Sequence, residues 1–267
     1  RSDLLQASVI VSALGYFVDI YDLILFSIVR VPSLHDLGVS NDGLLTDGVW
    51  VLNMQMIGML LGGILWGIWG DKKGRLSVLF GSILLYSLAN IANGFVQSVE
   101  QYAVLRFIAG IGLAGELGAG ITLVAELLPR EYRGYGTAII TSVGVAGALL
   151  AWLIAQAFGW QTCYFIGGGL GLVLLALRVG ILESRMYDNA ARSEARRGDF
   201  FSLFSDRKRF SKYMRCILIG LPTWYLVGIL MTLAPEISKA LGVSRSDVEA
   251  MDARLSGSDV SLNAQLV

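Results

Sequence analysis

The sequence predicts an all-α membrane protein, and three observations carry that prediction. Of its 267 residues 55% are hydrophobic and 16% charged, with 32 glycines and a mean hydropathy of +0.63. Soluble domains carry about 25% charge, so this composition belongs to another solvent. Apolar runs of about 20 residues, the length that crosses ~30 Å of hydrocarbon, recur along the chain, and the charges fall mostly between them.

Those runs place spanning helices at 7–30, 48–69, 77–97, 102–127, 135–158, 161–182 and 213–235. In the second, Gly58 with Gly62 and Gly63 with Gly67 make two small-xxx-small pairs. Such pairs let a neighbouring helix approach closely where lipid supplies no hydrophobic drive. Glycines 144 and 147 in the fifth run and 167–171 in the sixth read likewise as packing faces. No cleavable signal peptide is expected, since the chain opens on Arg1 and enters a full-length run directly.

Lys and Arg gather in one set of connections: Lys72, Lys73 and Arg75; Arg130 and Arg133; and many between 185 and 215. The positive-inside rule makes these cytoplasmic, and the N-terminus with them. His35, the single histidine, falls in an opposite loop and reads as a solvated residue rather than a pH sensor. The stretch 183–212 reads as a basic linker whose Phe200, Phe201, Leu203, Phe204 and Phe210 can line the buried side of short amphipathic helices. The expected domains are therefore a six-helix bundle at 1–182, that linker, a seventh span within 213–241, and a polar tail at 242–267. The tail cannot supply a second bundle, so the chain is expected to be part of a longer protein.

Composition and motifs exclude other classes. Net charge is zero, which gives no attraction to nucleic acid. Cys163 and Cys216 lie in separate apolar runs, with no CxxC and no metal-ligand spacing. No nucleophile with its base and no nucleotide loop appears. Neither an enzyme nor a cofactor nor a metal is expected.

Ionisable residues inside the spans point to function. Asp19 and Asp22 lie in the first span, in a run that includes Tyr16; Arg106 and Glu116 lie in the fourth. An ionisable group at that depth costs roughly 2.5 to 3.5 kcal/mol on insertion scales and needs a reason. An i, i+3 spacing puts the two aspartates on one helix face, ~4.5 Å apart along the axis. If the first and fourth helices share a cavity, Glu116 faces Asp19 and Arg106 reaches Asp22. Carboxylates crowded in a low dielectric cannot all ionise cheaply, and an arginine holds its neighbour charged. Such a set can carry protons.

Gly67, Asp71, Lys72, Gly74 and Arg75 resemble the loop signature of the major facilitator superfamily, G-x-x-x-D-[RK]-x-G-[RK]-[RK], with Leu76 at its last basic position. Six spans, a basic linker and a seventh span resemble the same family over residues 7–240. The sixth run ends in Leu182-Glu183-Ser184-Arg185, which is similar to the P-E-S-[PR]-R element of sugar porters without its proline. Asp19 and Asp22 with Glu116 look like the proton symporters for metabolites, aromatic acids and phosphate.

The resemblance implies a major facilitator fold and an alternating-access symporter moving a small organic anion with protons. A sugar or other neutral-solute carrier, a phosphate symporter and a non-transporting derivative remain alternatives. Asp19, Asp22, Glu116 and Arg106 are the candidates for proton coupling and substrate. Tyr16 lines the cavity, as do Trp224 and Tyr225 near the Pro222 break in the seventh span. Gly67, Asp71, Gly74, Arg75, Glu126 and Arg133 form a cytoplasmic gate. The implied partners are a small-molecule substrate, protons and the lipid bilayer. The implied setting is the plasma membrane, a bacterial inner membrane, and a complete protein that is monomeric.

Overall fold

Each of the first six apolar runs folds as a helix whose ends reach past or close to those expected. The computed structural model describes residues 7–73, 75–127, 131, 133–182, 204, 207–244 and 246–247. Six helices come first: α1 Ala7–Asp36, α2 Leu44–Lys73, α3 Arg75–Asn93, α4 Val99–Leu127, α5 Arg133–Ala157 and α6 Trp160–Leu182. α1 outruns its expected end at 30 and continues through Pro32. The reason is that Arg30, the charge that would close a span, turns inward: it is 1% exposed and donates to the Leu44 carbonyl at 3.4 Å. Gly48 makes room for it, since a Cβ there would lie 2.9 Å from the Arg30 Cδ. The helix stops instead at Gly38, whose φ of +86° allows Val39 N–H to bond the Leu34 carbonyl and Gly38 N–H that of His35.

Contacts between helices fix their directions. Gly15 of α1 lies by Arg178 of α6 and Tyr21 by Gly167, so α1 and α6 run antiparallel. Gly58 and Gly62 of α2 meet Phe107 and Ile111 of α4 in the same order, so those two run parallel. α1 and α4 are central: α1 touches α2, α4, α5 and α6, and α4 touches α1, α2, α3 and α5. Glycines set the close crossings. A Cβ at Gly58 or Gly62 would overlap the α4 backbone, and one at Gly147 would overlap the Phe17 carbonyl of α1. Of the two glycine pairs expected on α2, only Gly58 and Gly62 serve this crossing. Gly63 and Gly67 look onto open space.

The polarity is arranged for a membrane. Leu60, Leu61, Leu65 and Trp69 of α2 and Leu149, Trp152 and Leu153 of α5 are exposed, whereas Ser82, Ser87, Asn90, Arg106 and Glu116 are buried. Water would reward the reverse, and hydrocarbon rewards this. Among the described residues four stretches are long and apolar enough to cross a bilayer: Ser12–Asp36, Leu44–Lys73, Gly134–Ala157 and Trp160–Val179. Ser77–Asn93 is apolar but shorter. The chain is a multi-pass, all-α membrane protein.

By contacts the chain divides into two compact units, Arg1–Phe210 and Ser211–Val267. The second is dominated by α7, Arg207–Tyr225, whose α-helical pattern gives way four residues after Pro222 to a π-helical turn, Leu226–Met231, before the short α8, Ala234–Ala240. Proline lacks the N–H that an α-helix interior needs, and wide turns appear where that ladder is interrupted. Phe204 and Phe210 pack on each other, with ring centres 5.9 Å apart. The rest of the expected amphipathic linker, 183–203 and 205–206, lies outside the described residues, as does most of the polar tail. Cys163 and Cys216 are both free thiols.

Candidate functional site

Three helices of the first unit bring five ionisable side chains into its interior. α1 supplies Asp19 and Asp22, α4 supplies Arg106 and Glu116, and α6 supplies Arg178; none is more than 1% exposed. The i, i+3 spacing on α1 puts both aspartates on the face turned to α4. Antiparallel packing then sets Asp22 beside Arg106 and Gly15 beside Glu116.

Arg106 is held through both of its terminal nitrogens. Its Nη1 donates to Asp22 Oδ1 at 3.3 Å and to Asn90 Oδ1 of α3 at 3.2 Å, and its Nη2 to the Asp22 carbonyl at 3.5 Å. The guanidinium also lies 5.8 Å from the centre of the Phe26 ring and 5.4 Å from that of Tyr164. Tyr164 in turn shares a 2.5 Å hydrogen bond with Tyr102, whose hydroxyl accepts from Ser33 Oγ at 3.4 Å. This aromatic and polar cage excludes water, so the Arg106–Asp22 pair is a desolvated one that is costly to break.

Glu116 takes a partner that the sequence did not suggest. Arg178 grips both of its carboxylate oxygens, Nη1 donating to Oε2 at 2.6 Å and Nη2 to Oε1. A fork-on-carboxylate pair of this kind is among the strong, geometrically specific ion pairs that side chains make. Gly15 provides its space: a Cβ there would overlap both the Arg178 guanidinium and the Glu116 carboxylate. Glu116 stands near Asp19, as the first and fourth helices were expected to bring it, but its hydrogen bonds go to Arg178.

Asp19 is different again. Neither of its carboxylate oxygens accepts a hydrogen bond, although both are buried. Asp22 Oδ2 and the Tyr86 hydroxyl also lack hydrogen-bond partners. Three carboxylates thus meet two arginines, which stay charged at any physiological pH. Fully ionised, the five groups carry one excess negative charge, and one proton makes them neutral. Asp19 is the acid without an arginine of its own. Within this unit these groups are enclosed by the helices, because the Asp19 face of α1 turns toward α4 and α6.

The model of the Major Facilitator Superfamily matches residues 12–262. The chain belongs to that superfamily.

Among its relatives in the superfamily, the niacin transporter of Acinetobacter baylyi is 30% identical over 181 residues, 66% of this chain and 40% of that protein. The benzoate transport protein of the same species is 26% identical over 188 residues, 67% of this chain and 40% of that one. The inward-open structure of the xylose transporter XylE from E. coli superposes with a TM-score of 0.60 at 17% identity, covering 93% of this chain and 69% of that chain. At that identity the likeness shows the fold alone. The chain spans about half the length of the curated relatives it matches. The superfamily is one of transporters rather than enzymes.

The remaining sequence candidates fall elsewhere. Tyr16 is half-buried with its ring against Gly144 of α5, so it packs between helices. Tyr225 belongs to the second unit and is 51% exposed. Gly67 and Asp71 are exposed at the end of α2. Gly74 and the side chains of Arg75, Glu126, Arg133 and Trp224 lie outside the described residues. Arg178 and Asn90 are the site residues that sequence reading missed. Arg178 sits four residues before the end of its helix, where a basic residue reads as interfacial. Its one signal was that it interrupts a span otherwise free of charge from Trp160 onward.

Proposed function

We propose that this chain forms the proton-handling half of a secondary transporter that moves a small organic anion together with protons by alternating access. The observation that carries the reading is Asp19, a buried carboxylate with no hydrogen-bond partner, set beside two carboxylates that each have an arginine. An unpaired charge in a low dielectric is costly, and uptake of one proton removes it. Release of that proton restores a charge that must then be met by a moving arginine, a substrate or water. Alternating access supplies such a cycle, because each orientation opens the site to one side.

The anion reading is supported by relatives whose names point to niacin, benzoate, 4-hydroxybenzoate and sialic acid, all carboxylates at neutral pH. An arginine is the natural partner for such a group, and Arg106, which here holds the acid Asp22, would take the anion in exchange for it. The basic connections support a cytoplasmic N-terminus, and the bacterial relatives support a setting in a plasma membrane.

The test follows proton movement directly. The complete protein, in proteoliposomes loaded with a pH-sensitive dye, is offered niacin, benzoate, sialic acid, phosphate and xylose in turn. An organic acid that acidifies the lumen on addition, with no response to xylose, supports the reading. Equilibration of a neutral sugar without acidification returns the neutral-solute alternative.

A further inference from the structure

Arg178 is a buried charged group of the bundle to which the sequence reading attached no role, and its surroundings are unusual. Its guanidinium lies over Gly15, the residue one helical turn from Asp19 on the same face of α1. One turn is ~5.4 Å, well within the swing of an arginine side chain on its rotatable stem. Glu116 and Asp19 therefore flank one guanidinium, Glu116 bonded to it and Asp19 bonded to nothing. We infer that Arg178 is shared between the two acids: it rests on Glu116 while Asp19 is protonated and shifts to Asp19 when that proton leaves.

This rests on the reading of Asp19 as the proton carrier. In the step, the Asp19 O–H bond breaks, its proton passes to water on the open side, and the carboxylate left behind takes one or both Arg178 hydrogen bonds from Glu116. No charge is created without a partner in reach, which offsets the cost of releasing a proton inside the bundle. Gly15 is what permits the exchange. Any side chain at that position would occupy the space the guanidinium uses. Among the described residues, the charged and titratable groups that face Asp19 are Glu116 from α4, Arg178 from α6, Tyr86 from α3, and Asp22 and Tyr16 from its own helix. Of these only Arg178 brings positive charge. Arg106 is bonded instead to Asp22 and Asn90.

Sharing has a signature that a fixed ion pair lacks. The complete protein is assayed for substrate counterflow as a function of pH in wild type, Glu116→Gln, Arg178→Gln and the double variant, with Asp19→Asn as control. Glu116→Gln frees Arg178 for Asp19 and moves the profile to lower pH by about one unit or more. Arg178→Gln moves it to higher pH. In the Arg178→Gln background Glu116→Gln then moves it far less than in wild type, because no guanidinium is left to redistribute. Shifts that simply add would mean a static field and would overturn the exchange, as would the absence of a shift in Glu116→Gln. If Arg178→Gln does not reach the membrane folded, infrared difference spectra of wild type and Glu116→Gln decide. Loss of the Asp19 carboxylic C=O band with a simultaneous carboxylate shift that vanishes in Glu116→Gln supports sharing; loss without that shift refutes it. An unchanged pH profile in Asp19→Asn would instead refute the carrier role beneath the inference.

Discussion

Gly15 lies directly under the guanidinium of Arg178, so close that a single methyl group at Gly15 would overlap it and the carboxylate it holds. Two residues 163 positions apart therefore act as one feature: the missing side chain on α1 is the seat of the charged side chain on α6. Overpacking a rigid interior costs typically 1–3 kcal/mol, and here it also displaces a buried ion pair. Gly15→Ala is expected to lower the melting temperature in detergent and to abolish proton-dependent uptake. Unchanged stability and uptake would show that the pair can sit elsewhere.

The α2–α4 crossing makes a second prediction, with its own internal control. Gly58 and Gly62 touch the α4 backbone, whereas Gly63, on the same helix, faces open space. Gly62→Ala is expected to destabilise the bundle by about 1–3 kcal/mol. Gly63→Ala in this same chain is expected to be neutral, or stabilising by up to about 1 kcal/mol through helix propensity. Thermal unfolding of the two variants side by side checks the contrast.

Removing Arg106 leaves Asp22 as a buried carboxylate with no cation against it. Breaking such a pair from one side costs about 3–5 kcal/mol, so Arg106→Ala is expected to fold poorly. The double variant Arg106→Met with Asp22→Leu removes both charges and should recover much of that stability. Uptake should stay lost in both. A double variant no more stable than the single one would mean that the cage of Phe26, Tyr102 and Tyr164, not the ion pair, depends on Arg106.

The start of α4 offers a surface test. Ser98 Oγ accepts the Gln101 N–H at 3.3 Å, and the Gln101 side chain returns to the Gln97 N–H at 3.0 Å, satisfying two donors at the helix end. Glu100, in the same exposed turn, has its carboxyl held below the ordinary value by its backbone N–H and then by the Ser98 hydroxyl. A lowered carboxyl contributes stability that is present above its unfolded value and fades as pH falls through its folded one. Ser98→Ala should cost about 1 kcal/mol at neutral pH and move the Glu100 titration upward, read by NMR of the labelled carboxyl.

How much of this was legible in the sequence depended on which property carried it. Helices and their approximate ends follow from the length of apolar runs, a property of single segments, and the overshoot of α1 arose where Arg30 folded inward. Asp19, Asp22, Arg106 and Glu116 stood out because charge within such a run is costly wherever it points. Their partners did not. Glu116 takes Arg178 because α1 and α6 are rotated so that Gly15 opens a space between them, and rotation about a helix axis is set by packing across the whole bundle. Arg178 itself was hidden by its position near a helix end, where arginine usually reaches water. The cytoplasmic gate, drawn in part from a loop motif, rests mostly on side chains outside those described.

The most direct test of proton coupling through Asp19 is uptake of a labelled organic acid by the complete protein in proteoliposomes, comparing wild type with Asp19→Asn. An inward proton gradient should drive wild type to accumulate substrate above the external concentration. Asp19→Asn, which keeps the shape and loses the titratable group, should bind and exchange substrate but never concentrate it. Accumulation by Asp19→Asn equal to that of wild type would contradict the account, and the unpaired carboxylate at the centre of the bundle would need another explanation.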